Sequence, residues 1–308
     1  MVATLARSVT METDLRLEAA ALSELAENSA DDTRVRVPKP DWERTARDVL
    51  TAEWIEAVPL HDLAAIDAAG HNRVALGRLV IESFLKHAIR DGYFHADMHQ
   101  GNLMVDAGGN LVIVDCGIMG RLGMKERRFL AEILLGFITR DYRRVAEVHF
   151  EAGYVPAHHD IAEFAQAIRA VGEPIHDRPA DQISMAKVLT LLFEITGLFE
   201  MKTRTELVML QKTMVVVEGV ARSLDPRLDM WSTAEPVVRA WMERHLGPIG
   251  KLEDAGRGAL GFAGALAQIP ALIGRAESLG AELSGASLRG FTLDAETIAA
   301  IGRAEGHG

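Results

Sequence analysis

The chain has 308 residues and a formal net charge of −11 at pH 7, and this acidic balance argues against a nucleic acid as its main partner. Hydrophobic residues make up 48% and aromatic residues only 6%, which favours a helix-rich globular protein with an aliphatic core. The single cysteine, Cys116, excludes an internal disulfide framework, and no segment has the roughly 20 apolar residues of a membrane-spanning helix.

The N-terminal third contains three predicted elements. Residues 12–28 are predicted to form a helix, because apolar residues recur there at three- and four-residue steps. Residues 48–55, DVLTAEWI, alternate weakly between apolar and polar and are predicted to form a strand. Residues 72–91 return to helical spacing.

A polar loop and a hairpin are predicted next, in the stretch FHADMHQGNLMVDAGGNLVIVDCG. Residues 103–106 and 111–115 read as strands, and the AGGN sequence between them tolerates the positive φ of a tight turn. After residue 124 the chain is predicted to be helical to about residue 245, because long amphipathic stripes follow one another.

The spacing of four polar residues around this hairpin is typical of protein-kinase catalytic loops. Asn102 follows Asp97 by five residues, and the Asp115-Cys116-Gly117 sequence lies beyond the predicted hairpin. In that arrangement Asp97 holds or deprotonates an attacking hydroxyl or water. Asn102 and Asp115 supply hard oxygens for Mg²⁺ that bridges nucleotide phosphates. His95 is expected to brace the loop.

Two other interpretations of the same stretch remain open at this point. His95, Asp97 and His99 alternate, so an extended strand would place all three on one side as possible zinc ligands. The stretch could also be a polar turn without chemistry, in which the aspartates cap backbone amides.

The segment YFHADMHQGNLMVDAGGNLVIVDCGIMGRL closely resembles the catalytic segment of the UbiB/ADCK (AarF) atypical protein-kinase-like family, which is linked to ubiquinone biosynthesis. Members usually read His-Ala-Asp-Pro-His-Pro-Gly-Asn and Asp-Phe-Gly. This chain departs from that pattern at Met98, Gln100 and Cys116, and none of these changes removes an expected metal ligand.

The resemblance extends over nearly the whole chain and implies roles for further residues. Glu12 and Asp14 match an acidic pair of the family. Glu18 matches the helix glutamate that pairs with a nucleotide-binding lysine. The residues that correspond to the hinge bordering the adenine are Trp54, Ile55 and Glu56.

The implied fold class is α+β and protein-kinase-like, with a mostly helical C-lobe and a small β-hairpin. Residues 1–57 would form a partial N-lobe, residues 58–245 the C-lobe, and residues 246–308 a Gly/Ala-rich tail. No glycine-rich loop or Val-Ala-x-Lys strand precedes Glu12. The sequence therefore resembles a family member that is trimmed at its N-terminus and lacks C-terminal membrane helices.

The implied function is that of a UbiB-type kinase or ATPase that uses ATP and Mg²⁺ and supports ubiquinone (coenzyme Q) biosynthesis. Its expected partners are lipid-like quinone precursors and ubiquinone-biosynthesis proteins, at a cytoplasmic location with peripheral contact to the inner membrane. One alternative is a small-molecule phosphotransferase of the aminoglycoside or choline kinase type. The other is a truncated pseudokinase that serves as a binding scaffold, which the missing lysine region favours.

Two groups of residues outside the hairpin are predicted to have no special function. A run of basic residues after the site is predicted to be a solvated helix face rather than a lipid-binding patch. Its members are Arg121, Lys125, Arg127, Arg128, Arg140, Arg143 and Arg144. His149, His158 and His159 show no ligand spacing with a carboxylate and are predicted to be ordinary surface or core histidines.

Overall fold

The computed structural model describes residues 14–176, 191, 194–202 and 205–246. The first half contains short helices, short strands and one π-helical segment. In chain order these are α1 (Leu15–Asn28), β1 (Val35–Arg36), β2 (Ala57–Pro59), α2 (Leu63–Ala68), α3 (Arg73–Leu85), the π-helix (Lys86–Asp91), β3 (Tyr93–His95), a 3₁₀ turn (Gln100–Asn102), β4 (Leu103–Asp106), β5 (Leu111–Ile113) and β6 (Met119–Arg121).

The second half of the described chain is helical, as the sequence predicts. Its helices are α4 (Met124–Ile138), α5 (Tyr142–Glu151), α6 (Ile161–His176), α7 (Thr205–Leu224) and α8 (Met230–Leu246). The predicted amphipathic stretch after residue 124 is divided into α4 and α5 at Arg140, which adopts a φ of 60°. Asp141 then caps α5 by accepting the Arg144 N–H at 3.0 Å. The predicted Gly/Ala-rich tail lies outside the described residues.

The predicted N-terminal helix is confirmed, and its described part begins at Leu15. Asp14 is the N-cap and accepts the Arg16 N–H at 3.2 Å, which satisfies one of the free amides at the helix start. The buried face consists of Ala19, Ala21, Leu22 and Leu25. Glu12, the other half of the predicted acidic pair, lies outside the described residues.

Helix α1 is tied to α3 and the π-helix by several polar contacts around its C-terminal end. The Ser29 hydroxyl lies 3.0 Å from His87 Nε2, and Arg90 donates to the Asn28 carbonyl at 2.7 Å. The chain just beyond the helix adds ion pairs of Asp32 with Lys86 and of Arg34 with Glu82. On the other side Glu24 pairs with Arg121 of β6. These contacts fix α1 against the rest of the fold.

A four-stranded sheet in the order β1-β5-β4-β2 carries the predicted hairpin, β4–β5. The strands of the hairpin are antiparallel, and Leu103 lies opposite Ile113 at its open end. At the closed end Asp106 accepts the N–H groups of Gly108 and Asn110 at 2.9 and 3.0 Å. Gly109 adopts a φ of 80°, as the turn sequence predicts. A second sheet consists of β3 and β6 alone.

The predicted strand at residues 48–55 is wrong, because only isolated bridges occur there and β2 begins at Ala57. The preceding residues instead fold back on themselves. The Asp41 carboxylate accepts the N–H groups of Glu43 and Arg44, and the Thr45 hydroxyl donates to the Asp41 carbonyl. This local turn competes with sheet pairing, and residues 48–55 run outside the ladder before the chain joins β4.

The largest hydrophobic core lies between α1, α3, the hairpin and α7. At its centre Phe84 and Phe94 pack edge to face with ring centroids 5.9 Å apart. Helices α3 and α7 approach closely at Gly77, where an added Cβ would lie 2.9 Å from the Ala221 carbonyl oxygen. A second core packs α5 and α6 around Tyr142, Phe164 and Phe199. The described residues through His245 form one compact unit.

The basic run after the hairpin is largely neutralised by acidic neighbours. Arg144 forms ion pairs with Glu132, Glu147 and Glu151. The other ion pairs join Arg121 to Glu24, Arg128 to Glu132, Arg140 to Glu173 and Arg143 to Glu147. This pairing supports the interpretation of a solvated helix face. Within the part of the chain that the structure describes, no helix has the length and apolar character needed to cross a membrane.

His87 is expected to make the fold sensitive to acid. Burial lowers the pKa of His87 to about 3, with Arg90 adding to the effect. Below pH ~6.5 His87 binds a proton in the unfolded chain but stays neutral in the folded protein. The free energy of unfolding therefore falls as the pH drops towards 3. This effect of His87 should lower the free energy of unfolding by about 2 kcal/mol between pH 7 and pH 5.

Urea unfolding of wild type and His87→Gln at both pH values measures this contribution. The variant should lose about 2 kcal/mol less than wild type on acidification. Substitution of the exposed His61 by glutamine is the matched control and should keep the wild-type pH dependence. An unchanged pH dependence in His87→Gln would contradict the assignment.

Candidate functional site

His95 holds the loop that follows β3. It is fully buried, and its Nδ1 accepts the Asp97 backbone N–H at 3.0 Å, so the proton of the neutral ring resides on Nε2. Burial lowers the pKa of His95, although the nearby charge and backbone of Asp115 oppose this effect. The ring therefore stays neutral and holds the Asp97 turn through Nδ1.

Asn102 and Asp97 face each other across the same loop. The Asn102 side-chain amide donates from Nδ2 to the Asp97 carbonyl at 3.1 Å, which leaves Oδ1 as the free atom of the buried amide. The Asp97 side chain is 33% exposed, and one of its carboxylate oxygens lies 3.8 Å from His99 Nε2. Asp97 is therefore accessible to a group that enters from solvent.

Asp115 lies at the open end of the hairpin, next to Asn102. The Val114 N–H donates to the Asn102 carbonyl at 3.1 Å, so the residues before β4 and after β5 are joined there. Asp115 is exposed, and its Oδ1 accepts the Gly117 N–H at 2.8 Å. The second carboxylate oxygen, Oδ2, forms no hydrogen bond or ion pair among the described residues.

Glu18 of α1 reaches the Asp115-Cys116-Gly117 sequence from the opposite side. Burial raises the pKa of Glu18, the Asp115 carboxylate raises it further, and a hydrogen bond from the Cys116 backbone opposes both effects. The two carboxylates are thus near neighbours, which is costly unless a cation or a proton is shared. These carboxylates and the Asn102 amide oxygen are hard oxygen donors, the type of ligand that Mg²⁺ prefers.

The predicted hinge residues directly precede strand β2, and their role in bordering an adenine stays a prediction. Strand β2 pairs with β4 so that Ala57 faces Asp106, at the closed end of the hairpin. Trp54, Ile55 and Glu56 precede β2, so they lie beyond the closed end and away from Asn102. Trp54 is 85% exposed, whereas Ile55 is buried. Asp14 is likewise engaged locally, in an ion pair with Arg16.

The zinc interpretation of His95, Asp97 and His99 finds no support in the described part of the chain. These three side chains do not converge as a group of metal ligands there. His95 is turned into the core, and His99 Nδ1 accepts the Gly101 N–H at 3.0 Å. Alternating residues share one side only in an extended strand. Strand β3 ends at His95 and the chain turns there, so the three residues do not face the same way.

Two residues of α7 brace the loop and were not found from the sequence. The Thr213 hydroxyl donates to the Ala96 carbonyl at 2.8 Å, and Gln100 Nε2 donates to the Ser223 hydroxyl at 2.7 Å. These partners are more than a hundred residues apart in sequence, and neither belongs to a recognisable motif. Only the packing of α7 against the loop reveals them.

Cys116 is a core residue within the site. Its side chain is 1% exposed and belongs to the main hydrophobic core. Burial raises the pKa of the thiol to about 12, and Asp115 and Glu18 add to this effect. The thiol is therefore protonated and unreactive at neutral pH.

Comparisons with known proteins show which families and fold the chain resembles. Residues 1–149 match the ABC1 atypical kinase-like domain, and residues 168–229 match the UbiB helical domain. A solved structure, the complex of Rv3197 with erythromycin from Mycobacterium tuberculosis, is similar in fold with a TM-score of 0.56. That likeness covers 77% of this chain and 60% of the other at 23% sequence identity, so it concerns the fold alone.

Curated relatives named "Probable protein kinase UbiB" are similar over most of the chain. The relative from Marinobacter nauticus is 41% identical over 79% of this chain and 45% of its own length. The relative from Aeromonas hydrophila gives the same three figures, 41%, 79% and 45%. The relative from Shewanella woodyi is 37% identical over 85% of this chain and 48% of its own length. The chain spans about half the length of these relatives.

Proposed function

The chain belongs to the ABC1/UbiB family of atypical kinase-like proteins, and from this premise we propose that it binds Mg-ATP and takes part in UbiB-type phosphoryl transfer or ATP hydrolysis. The observation that carries the proposal is the set of hard oxygens at the open end of the hairpin. Asn102 and Asp115 would hold the metal, with the Glu18 carboxylate beside them.

Each proposed role follows from what the side chain already does. Asn102 uses its amide N–H on the Asp97 carbonyl, so its oxygen faces the metal position. Asp115 keeps one oxygen on the Gly117 amide, which fixes the direction of the other. When bound, Mg²⁺ neutralises charge on the nucleotide phosphates.

Asp97 is proposed to hold the attacking hydroxyl or water. Its carboxylate is the exposed acidic group of the loop, and its backbone is fixed on both sides by His95 and Asn102. A carboxylate held in this way can orient an acceptor hydroxyl and take up its proton. His95, which is buried and neutral, positions Asp97 without touching the acceptor.

The acceptor is proposed to be a lipid-like quinone precursor, with ubiquinone-biosynthesis proteins as partners. An open cleft of about 490 Å³ lies between the Asp97 loop and α7. Its lining is His61, His99, Gln100, Gly101, Val216, Gly219 and Val220. Valine side chains on one wall and polar groups on the other suit a molecule with an apolar part and a reactive hydroxyl.

Replacement of Asp97 with alanine tests the proposed mechanism. The variant should bind Mg-nucleotide as wild type does, because it keeps Asn102 and Asp115. It should lose about 100-fold or more in Mg²⁺-dependent phosphate release from ATP, because the group that holds the attacking oxygen is gone. Calorimetry measures binding, and a phosphate-release assay measures turnover.

Asp48→Ala is the control for this experiment, because the Asp48 side chain is 85% exposed and removed from the site in sequence. It should leave both measurements unchanged. Equal rates of phosphate release in wild type and Asp97→Ala would rule out the proposed role of Asp97.

A further inference from the structure

Two histidines and a glutamate converge in the helical region, far from the kinase-like loop in sequence. His158 and His159 lie in the loop between α5 and α6, and Glu200 follows a helical segment at residues 194–198. One potential ligand atom from each residue lies within 4.8 Å of the others. His158 Nε2 is 3.9 Å from a Glu200 carboxylate oxygen. Among the residues that the structure describes, this is the group of three such side chains that comes together.

The two chain segments that carry these residues are fixed to each other. The Lys202 N–H donates to the Tyr154 carbonyl at 2.8 Å, a backbone contact that joins them directly. The buried Phe199 ring, next to Glu200, packs against the His159 ring with centroids 5.2 Å apart. The His158 and His159 rings lie 4.1 Å apart and are tilted by 37°. The convergence therefore rests on a hydrogen bond and on ring packing.

Among the described residues, the side chains in this group have no polar partner outside the group. His159 Nε2 is buried and makes no hydrogen bond within the described chain, whereas buried polar atoms nearly always have a partner. His158 and Glu200 are 63% and 70% exposed, so both side chains can rotate. His159 is therefore held by packing, whereas the His158 and Glu200 side chains can adjust.

We propose that His158, His159 and Glu200 bind a divalent transition-metal ion of the zinc type. Two imidazoles and one carboxylate are a ligand set that suits zinc, and water completes the tetrahedron. Ligand atoms about 2.1 Å from a shared zinc ion are about 3.4 Å apart. Rotation of the exposed His158 and Glu200 side chains can close the gap from the observed separations without moving the backbone.

This site differs in chemistry and place from the proposed Mg²⁺ site. Imidazole nitrogen selects zinc-type ions, whereas the oxygens of Asn102 and Asp115 select Mg²⁺. His158 and His159 lie between the two matched regions of the chain, and Glu200 lies within the UbiB helical domain. A bound ion would therefore cross-link the connecting loop to the helical domain.

The backbone at Glu200 offers a variant that separates metal binding from folding. Glu200 adopts a φ of 47°, a left-handed conformation that glycine adopts without strain. Glu200→Gly should therefore fold at least as well as wild type while lacking the carboxylate ligand. His159→Phe removes an imidazole but keeps an aromatic ring against Phe199.

The test is titration of the metal-free full chain with zinc chloride, followed by calorimetry and thermal unfolding. Wild type should bind one equivalent and unfold at a higher temperature as the zinc concentration rises. Glu200→Gly, His158→Ala and His159→Phe should each bind at least about tenfold more weakly, since even loss of a group that only supports a ligand costs that much. Glu200→Gly should be no less stable than wild type without zinc.

His71→Ala, in the loop before α3, is the control and should bind zinc as wild type does. Cobalt(II) titration adds a spectroscopic readout, because nitrogen and oxygen ligands in a tetrahedral site give an intense visible absorption. Absence of zinc binding in wild type would overturn the proposal. Unchanged affinity in the three ligand variants would overturn it equally, because it would place the bound zinc elsewhere in the chain.

Discussion

Replacement of Asp115 with alanine is expected to abolish Mg²⁺-dependent nucleotide binding. Asp115 is the exposed carboxylate at the open end of the hairpin, and one of its oxygens is fixed by the Gly117 amide. Magnesium requires hard oxygen ligands and near-ideal geometry, so the remaining amide oxygen of Asn102 cannot hold it alone. Calorimetric titration with Mg-ADP should show binding in wild type and none in the variant.

A second variant and a measurement without Mg²⁺ test the same assignment. Glu18→Gln keeps a polar group beside the Cys116 backbone but removes a charge near Asp115, so it should weaken binding without abolishing it. Omission of Mg²⁺ should reduce wild type to the level of Asp115→Ala. If Asp115→Ala binds Mg-ADP with wild-type affinity, the assignment of the metal position fails, and with it the proposed site.

Replacement of Gly92 with alanine is expected to cause a large loss of stability. Gly92 ends the π-helix with a φ of 70°, and an added Cβ would lie 2.5 Å from the Leu122 carbonyl oxygen. The Leu122 N–H in turn donates to the Gly92 carbonyl at 2.8 Å, so the two backbones cannot separate cheaply. Strain and overpacking together should lower the free energy of unfolding by about 3 kcal/mol.

Gly70→Ala is the matched control. Gly70 has a φ of 75°, but an added Cβ there meets no atom within 4 Å, so only the conformational strain remains. Its expected cost is about 1 kcal/mol. Urea unfolding of both variants separates the two effects, and equal losses would show that the close approach of Gly92 to Leu122 does not matter for stability.

The sequence predicts those parts of the fold that depend on local signals. The hairpin follows from two apolar runs around a Gly-Gly-Asn turn, and Gly109 adopts the predicted positive φ. The predicted strand at residues 48–55 is wrong because a strand needs a neighbour. Weak alternation cannot reveal that Asp41 and Thr45 close a local turn instead.

The candidate site also depends partly on local sequence signals and partly on contacts between distant segments. The spacing of Asp97, Asn102 and Asp115 carries information because the hairpin between them has a fixed length. The neighbourhood of Glu18 and Asp115 was suggested by family resemblance and not by spacing. Contacts such as that of Thr213 with Ala96, or of Glu200 with His158, join distant segments, so no local pattern contains them.

The anchoring of α1 has a consequence for control of the site. In protein kinases the position of the corresponding helix is a point of regulation, because its glutamate must reach a lysine for the enzyme to be active. Here the helix is secured by Ser29 against a buried histidine, by Asn28 against Arg90 and by Glu24 against Arg121. An outward swing of α1 would break all three contacts at once. The three contacts therefore oppose an outward movement of α1 and hold Glu18 near Asp115.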